Sequence, residues 1–291
     1  MSNRSEASRA PDSWGAPPAP APPAEPAEPA EFAEPASIVV LVDYDGTIAR
    51  SDVSDEVMWR HADRDAWAPL EAAYLRGDIG SRTLLVRQAA VLHGDTAEIA
   101  AIGDDQELDA HFVPFVGFLR DRSIEVEVVS DGFGFFVGPS LARLGLGDLP
   151  VFTARTAFPP GRVEIGFPDG HPTCRVCGTC KRERILVHHR AGRHVVFIGD
   201  GFSDLYAAGH ADTVFAKDHL AELCADRGWP YQTWSSFADI QAALGELLAA
   251  GVPAPRQRPF ICGPEVWPAG TIEPLWTRPP APRTVGGGAS K

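Results

Sequence analysis

Lysine is scarce in this chain. Before Lys217 there is one, Lys181. Basic charge is short as a whole: 26 Lys and Arg stand against 39 Asp and Glu, a net charge of −13 over 291 residues. The first 36 residues carry −4 and those after Gly251 carry +3, so the body between them holds −12. Such an acidic body argues against a nucleic-acid partner, which needs a basic face, and against an anionic membrane surface. Long apolar runs are also missing. None approaches the roughly 20 residues of a membrane span, and no signal-peptide-like apolar stretch stands near the start. A cytoplasmic location is the expectation. Five cysteines are too few for a secreted disulfide framework in a chain of this length. No internal repeat is present.

Proline is unevenly spread. Of 27, nine precede Ser37 and nine follow Gly251. Residues 1–36 are Pro/Ala/Glu-rich with few large apolar side chains, a composition that cannot offset its ordering entropy and predicts a disordered tail. Residues 251–291 read as a second, Pro/Gly-rich tail. It is expected to be mobile, although Phe260, Trp267 and Trp276 could pin it to the body.

The body alternates strands and helices. The apolar, β-branched run at 37–43 predicts a buried parallel strand ending in a carboxylate. Further strands are predicted at 124–131, 151–156, 194–200 and 212–216. Helices are predicted between them, one over 182–190 and a last one opened by Ser236 and Asp239. This order implies an α/β fold with a doubly wound, mostly parallel sheet of Rossmann-like type. Residues 37–50 and 123–250 form the core. The span 51–122 is helical in texture and reads as an inserted cap. Ligands of such sheets bind beyond the carboxyl ends of the strands, where Asp43, Ser130 and Asp200 fall.

The motifs lie at those ends. In "VDYDGTI", Asp43 and Asp45 share one face of an extended chain, and Gly46 lets the backbone turn away. Two carboxylates so close do not both ionise cheaply, so one can attack while the other holds a proton. That division suits phosphoryl transfer through an aspartyl-phosphate. The plain alternative is a strand followed by an Asx turn. "VVSDGF" offers the hydroxyl of Ser130 and the backbone N–H groups of Asp131 and Gly132 to a phosphate; an ordinary helix cap would look the same. "IGDGFSD" places Asp200 at a strand end and Asp204 one helical turn on. Carboxylates of this kind can hold a hard cation such as Mg²⁺.

Taken in order, Asp43-x-Asp45-Gly-Thr, Ser130, Lys181 and Gly199-Asp200-Gly-x-x-Asp204 resemble the motifs of the haloacid-dehalogenase (HAD) phosphatases. The resemblance covers the body, and the helical insertion is similar to the cap of the phosphoserine-phosphatase-like branch. It implies Asp43 as nucleophile and Asp45 as general acid and base. It implies phosphate held by Ser130 with nearby amides, and Lys181 neutralising nucleophile and phosphate. Mg²⁺ would be held by Asp43, Asp200 and the carbonyl of Asp45, with Asp204 orienting waters or Lys181. With Asp45 protonated, the three remaining acids balance Mg²⁺ and Lys181 before substrate arrives.

"HPTCRVCGTCK" is less determinate. His171, Cys174, Cys177 and Cys180 recur every third residue just before Lys181. Four such ligands could close on Zn²⁺; an iron–sulfur cluster would lack its usual fourth cysteine; reduced structural thiols are the plain alternative. Similar Cys-rich stretches occur in two groups of the resembling family, the methionine-salvage enol-phosphate phosphatases and the phosphoethanolamine/phosphocholine phosphatases. They imply a structural task, holding Lys181 in place. Asp52 and Arg87 match loosely the positions that meet the ammonium and carboxylate of phosphoserine, while Asp131 departs from the glycine found there. Trp59 and Trp67 could wall a substrate tail or belong to the core of the cap.

The expectation is a Mg²⁺-dependent phosphomonoesterase for a small phosphorylated metabolite, nearest to the methionine-salvage-type phosphatases. A phosphoserine or phosphoethanolamine activity, and phosphotransfer to an alcohol, are the alternatives on the same site. A phospholigand-binding protein without catalysis is the competing class.

Overall fold

The structure, a computed structural model, describes residues 37–255, 258–268 and 271–272. The expected disordered tail over 1–36, and Trp276, lie outside the described residues.

Strand β1 (Ile38–Val42) is buried along its whole length, as a strand covered on both faces must be. After the turn over Tyr44–Ile48, four helices follow: α1 (Val53–His61), α2 (Arg64–Leu75), α3 (Ser81–Val91) and α4 (Thr96–Ala101). Aspartates cap three of them. Asp52, Asp63 and Asp95 each accept a backbone N–H from the first turn of the helix that follows, satisfying donors that would otherwise be orphaned. Helix α5 (Phe112–Arg120) then leads into β2 (Glu125–Val129), α6 (Val137–Arg143) and β3 (Val151–Phe152). A small hairpin of β4 (Arg155–Ala157) and β5 (Glu164–Gly166) precedes α7 (Lys181–Arg190). The chain closes with β6 (His194–Gly199), α8 (Leu205–Ala208), β7 (Thr213–Ala216), α9 (Asp218–Asp226), β8 (Gln232–Thr233) and α10 (Phe237–Ala250).

The main sheet is six-stranded and parallel, in the order β3-β2-β1-β6-β7-β8. Side chains alternate across it. Val40 and Val42 face one layer, with Phe112, Phe115 and Phe237 from α5 and α10. Val39 and Leu41 face the other, with Ile185 from α7, Ala207 and Ala208 from α8 and Leu220 from α9. The chain reverses its sheet order on either side of β1, so the crevice beyond β1 and β6 is the switch point of the sheet.

Three expectations need correction. The third strand, read over 151–156, joins the sheet only through Val151–Phe152; Arg155–Ala157 instead pairs antiparallel with Glu164–Gly166. The turn between them holds Pro159, Pro160 and Gly161, residues that reverse a chain readily. Second, α5 lies within the span read as cap, yet it packs on β2 and α10, with Phe112 and Phe115 against the Phe237 ring. Third, the segment after Gly251 is not wholly free: Cys262 and Trp267 are buried against Val176. Trp67 is buried in the larger core while Trp59 is 55 % exposed, and neither lines the cavity described below. Among the described residues no helix is long and apolar enough to cross a membrane.

Candidate active site

Asp43 follows β1 directly, Ser130 follows β2 and Asp200 follows β6, so adjacent parallel strands bring all three to one edge. Asp43 accepts the N–H of Tyr44 through Oδ1 at 2.7 Å. The same oxygen lies 2.8 Å from Nζ of Lys181. Lys181 opens α7 and is only 3 % exposed. Its ammonium also donates to Asp204 Oδ1 at 2.6 Å and to the Ser203 hydroxyl at 3.0 Å. Asp204 is fully buried, and its Oδ2 accepts the N–H groups of Asp200 and Gly201 at 3.0 Å each. Both oxygens of Asp204 are thus engaged with the amine and the loop.

Asp200 accepts the Thr47 hydroxyl through Oδ1 at 2.6 Å. Gly46, at φ +65°, sits over it, and a Cβ there would collide with the Asp200 carboxylate. Only glycine fits both the left-handed turn and the close approach. Among the described residues, Asp43, Asp200 and Asp204 are the one group of His, Cys, Asp or Glu with three ligand atoms all within 4.8 Å of each other. The donors are hard carboxylate oxygens, which match a small divalent cation such as Mg²⁺.

Electrostatics follow from burial. Desolvation, with Asp204 and Asp200 as like charges, outweighs Lys181 and raises the Asp43 pKa well above the usual range. Asp200 is pushed up to about 7 by burial and by Asp204. Asp45 is raised well above its ordinary value, chiefly by burial and then by Asp52. Burial works against the charge on Lys181, but Asp204 and Asp43 overcome it and hold the amine protonated. Asp45 accepts the Val53 N–H at 2.9 Å, which fixes its carboxyl beside the start of the helical insertion.

The Ser130 loop completes the edge. Gly132 N–H reaches the Ser130 hydroxyl at 3.3 Å, and Phe133 N–H reaches the Ser54 hydroxyl of α1 at 3.3 Å. The side chain of Asp131 is tied to two further segments. It accepts the Ser81 hydroxyl at 2.5 Å and the Thr179 N–H at 2.8 Å, joining α3 to the cysteine-containing loop. Ser81 also accepts the Gly178 N–H at 3.2 Å.

A cavity of about 310 Å³ lies over these residues. Asp43, Asp45, Asp131 and Asp200 form its floor; Asp52, Asp55 and Glu71 of the helical insertion stand on its wall, with Leu75, Leu84 and Leu85. Arginine and lysine are absent from the described residues lining it. Arg87, the expected carboxylate partner, is exposed and does not reach the cavity; its neighbour Gln88 does. One residue along a helix is a rotation of ~100°, enough to exchange the two faces. His171, Cys174, Cys177 and Cys180 do not form a tight group of four: His171 uses Nδ1 to accept the N–H of Thr173 and of Cys174. Thr47, the last residue of the first motif, Ser81 and Ser203 hold the charged groups in place; Ser81 and Ser203 carried no distinctive sequence signal beyond their small polar character.

No family model matches the chain. It is 30 % identical over 225 residues to the 2-hydroxy-3-keto-5-methylthiopentenyl-1-phosphate phosphatase of Bacillus cereus, covering 73 % of this chain and 98 % of that one. The chain belongs to the HAD phosphatases. The Bacillus mycoides protein of the same name is also 30 % identical over the same length. Among solved structures, a phosphoserine phosphatase bearing a phospho-aspartyl intermediate analogue superposes with a TM-score of 0.55 at 18 % identity, over 75 % of this chain and 99 % of that one. Substrate-bound phosphoserine phosphatase gives 0.53 at 17 % identity, over 75 % and 99 %. The HAD phosphatase described here is therefore a phosphoric monoester hydrolase on an α/β Rossmann-like fold.

Proposed function

We propose that this HAD phosphatase hydrolyses a small organic phosphate with an uncharged, partly apolar tail, carrying the phosphoryl group on Asp43. The observation behind this reading is the placement of the buried Lys181 ammonium between Asp204 and Asp43, the latter a carboxylate that lines the cavity. It screens Asp43 against an incoming dianion. Asp43 attacks phosphorus through its free oxygen as the ester bond breaks, and Asp45 gives its proton to the departing alcohol oxygen. Asp45, now ionised, takes a proton from water; that water attacks phosphorus, releasing phosphate and Asp43. Ser130 and the amides of Asp131 and Gly132 hold the phosphoryl oxygens. Asp43, Asp200 and the carbonyl of Asp45 would hold Mg²⁺, with Asp204 behind them. Bound there, the cation would neutralise charge on the phosphoryl oxygens.

The cavity wall narrows the substrate. Leucines 75, 84 and 85 suit an apolar tail such as the methylthio end in the name of the Bacillus relatives. With no arginine or lysine on the wall, the carboxylate of phosphoserine would be left without a partner. A second reading rests on Asp52, Asp55 and Glu71, which favour an ammonium-bearing tail of the phosphoethanolamine kind. Phosphate release from a panel of monoesters, with and without Mg²⁺, tests both. The expected order of kcat/KM places the uncharged apolar tail first and phosphoserine last. Phosphoethanolamine in first place selects the second reading. Tight binding with no turnover of any ester would leave only a phospholigand-binding protein.

A further inference from the structure

Four of the five cysteines meet at one place. The loop before α7 carries Cys174, Cys177 and Cys180, and the C-terminal segment returns to it with Cys262. All four line a single cavity of about 20 Å³, room for about one ion or one water. Val176, Cys262 and Trp267 bury one another there, and Cys174, Cys177 and Tyr206 pack against them. The fifth cysteine, Cys224, does not line this cavity and belongs to the core between the sheet and α7–α9.

A second observation concerns charge. Arg182 lines the same cavity and is 2 % exposed. Its guanidinium meets one carboxylate, that of Glu265 at 2.8 Å, itself 40 % exposed. The Phe260 ring covers it at 4.6 Å. Its Nε and Nη1 have no hydrogen-bond partner among the described residues. A buried cation so thinly matched calls for negative charge beside it. Gly263, directly after Cys262, has φ +89°, and a Cβ there would collide with the guanidinium.

We propose that Cys174, Cys177, Cys180 and Cys262 form a second metal site, a four-thiolate centre for a thiophilic divalent cation of the zinc class. Binding one such ion releases four thiol protons and leaves a centre of charge −2, which Arg182 offsets in part. Zinc–sulfur bonds of ~2.3 Å require the sulfurs to stand roughly 3.8 Å apart. No three of them now lie within 4.8 Å of one another, so binding draws the loop and the C-terminal segment together. Cys262 takes the place that spacing alone would give to His171, whose Nδ1 is engaged with the loop backbone. Lys181 and Arg182 follow Cys180 without a break, so the centre would anchor the start of α7.

The test is metal content, which is independent of any phosphatase activity. The full chain, purified without chelator and dialysed against excess Mg²⁺ to clear stray zinc from the carboxylates, is assayed for zinc, iron and sulfide. One zinc per chain is expected in the wild type, in His171→Ala and in Cys224→Ser, and at least a fivefold loss in Cys262→Ser. Should Cys262→Ser fail to fold, the wild type still decides. Zinc is expected to protect four thiols from a thiol reagent and leave the fifth unaffected, and Co²⁺ in its place is expected to give the charge-transfer absorption of a tetrahedral thiolate centre. Zinc-free wild type with five thiols indifferent to added zinc, full zinc in Cys262→Ser, or iron with sulfide would each overturn the proposal.

Discussion

Replacing Lys181 by methionine removes one charge and keeps most of the side-chain volume. The amine is buried, 2.8 Å from Asp43 and 2.6 Å from Asp204, and its loss leaves these two acids without the cation that pairs with them. Breaking a buried pair from one side costs about 3–5 kcal/mol. Equilibrium urea unfolding in EDTA at pH 8 is expected to show a loss of that size. The pH dependence has a definite sign. Asp200 titrates near 7 in the folded protein against 3.8 as its ordinary value. A raised folded pKa gives stability that is complete below the ordinary value and lost as pH rises through the folded one. Asp43 is raised in the same direction. Without Lys181 these acids rise further, so the variant is penalised most above pH 7. The gap to wild type should shrink as pH falls from 8 toward 4, because proton uptake relieves the repulsion. Adding Asp204→Asn to the variant should recover part of the loss, since one of the stranded charges is then gone. Turnover of p-nitrophenyl phosphate by Lys181→Met should fall by roughly 10²–10³. A stability loss below about 1 kcal/mol at pH 8, or a loss unchanged between pH 8 and pH 4, would refute this account of the buried amine.

Three further outcomes are expected. The alkaline limb of kcat/KM should lie above the ordinary carboxylate range, because Asp45 is raised by burial and Asp52 and in the proposed mechanism carries the proton for the leaving group; pH profiles of wild type and Asp45→Asn check this, and the limb should vanish in the variant. Gly46→Ala forces a side chain against Asp200 at a positive φ, so calorimetric titration should show Mg²⁺ binding weakened at least tenfold while Asp43 and Lys181 keep their places. Ser81→Ala removes the hydroxyl that joins Asp131 to the Gly178 N–H; thermal or urea unfolding should register about 1–3 kcal/mol, and KM should rise more than kcat falls, because the tie steadies the phosphate-binding loop rather than Asp43 or Asp45.

Much of the floor of the site could be read from the chain because parallel sheets place residues by a simple rule. A polar residue that ends an apolar, β-branched run projects at the carboxyl edge, so Asp43, Ser130 and Asp200 were bound to meet once their strands were neighbours. Lys181 was legible because the family resemblance calls for a lysine and the chain offers one before Lys217. The wall was not legible. Whether Arg87 or Gln88 faces the cavity depends on helix phase, and a shift of one residue exchanges them. Ser81 looked like any residue starting a helix, yet its partners Asp131 and Gly178 come from two other segments. The break between β3 and β4 depends on a hairpin pairing that outcompetes strand extension. The meeting of Cys262 with the cysteines of the earlier loop joins segments with no local pattern in common.

The phosphoryl transfer itself is most directly tested by quenching the enzyme with acid during turnover and locating the label by peptide mass analysis. One phosphoryl group on Asp43, labile to hydroxylamine and lost in Asp43→Asn, is the predicted result. Turnover with no adduct at that residue under conditions where Asp45→Asn also traps none, or a label on any other side chain, would contradict it.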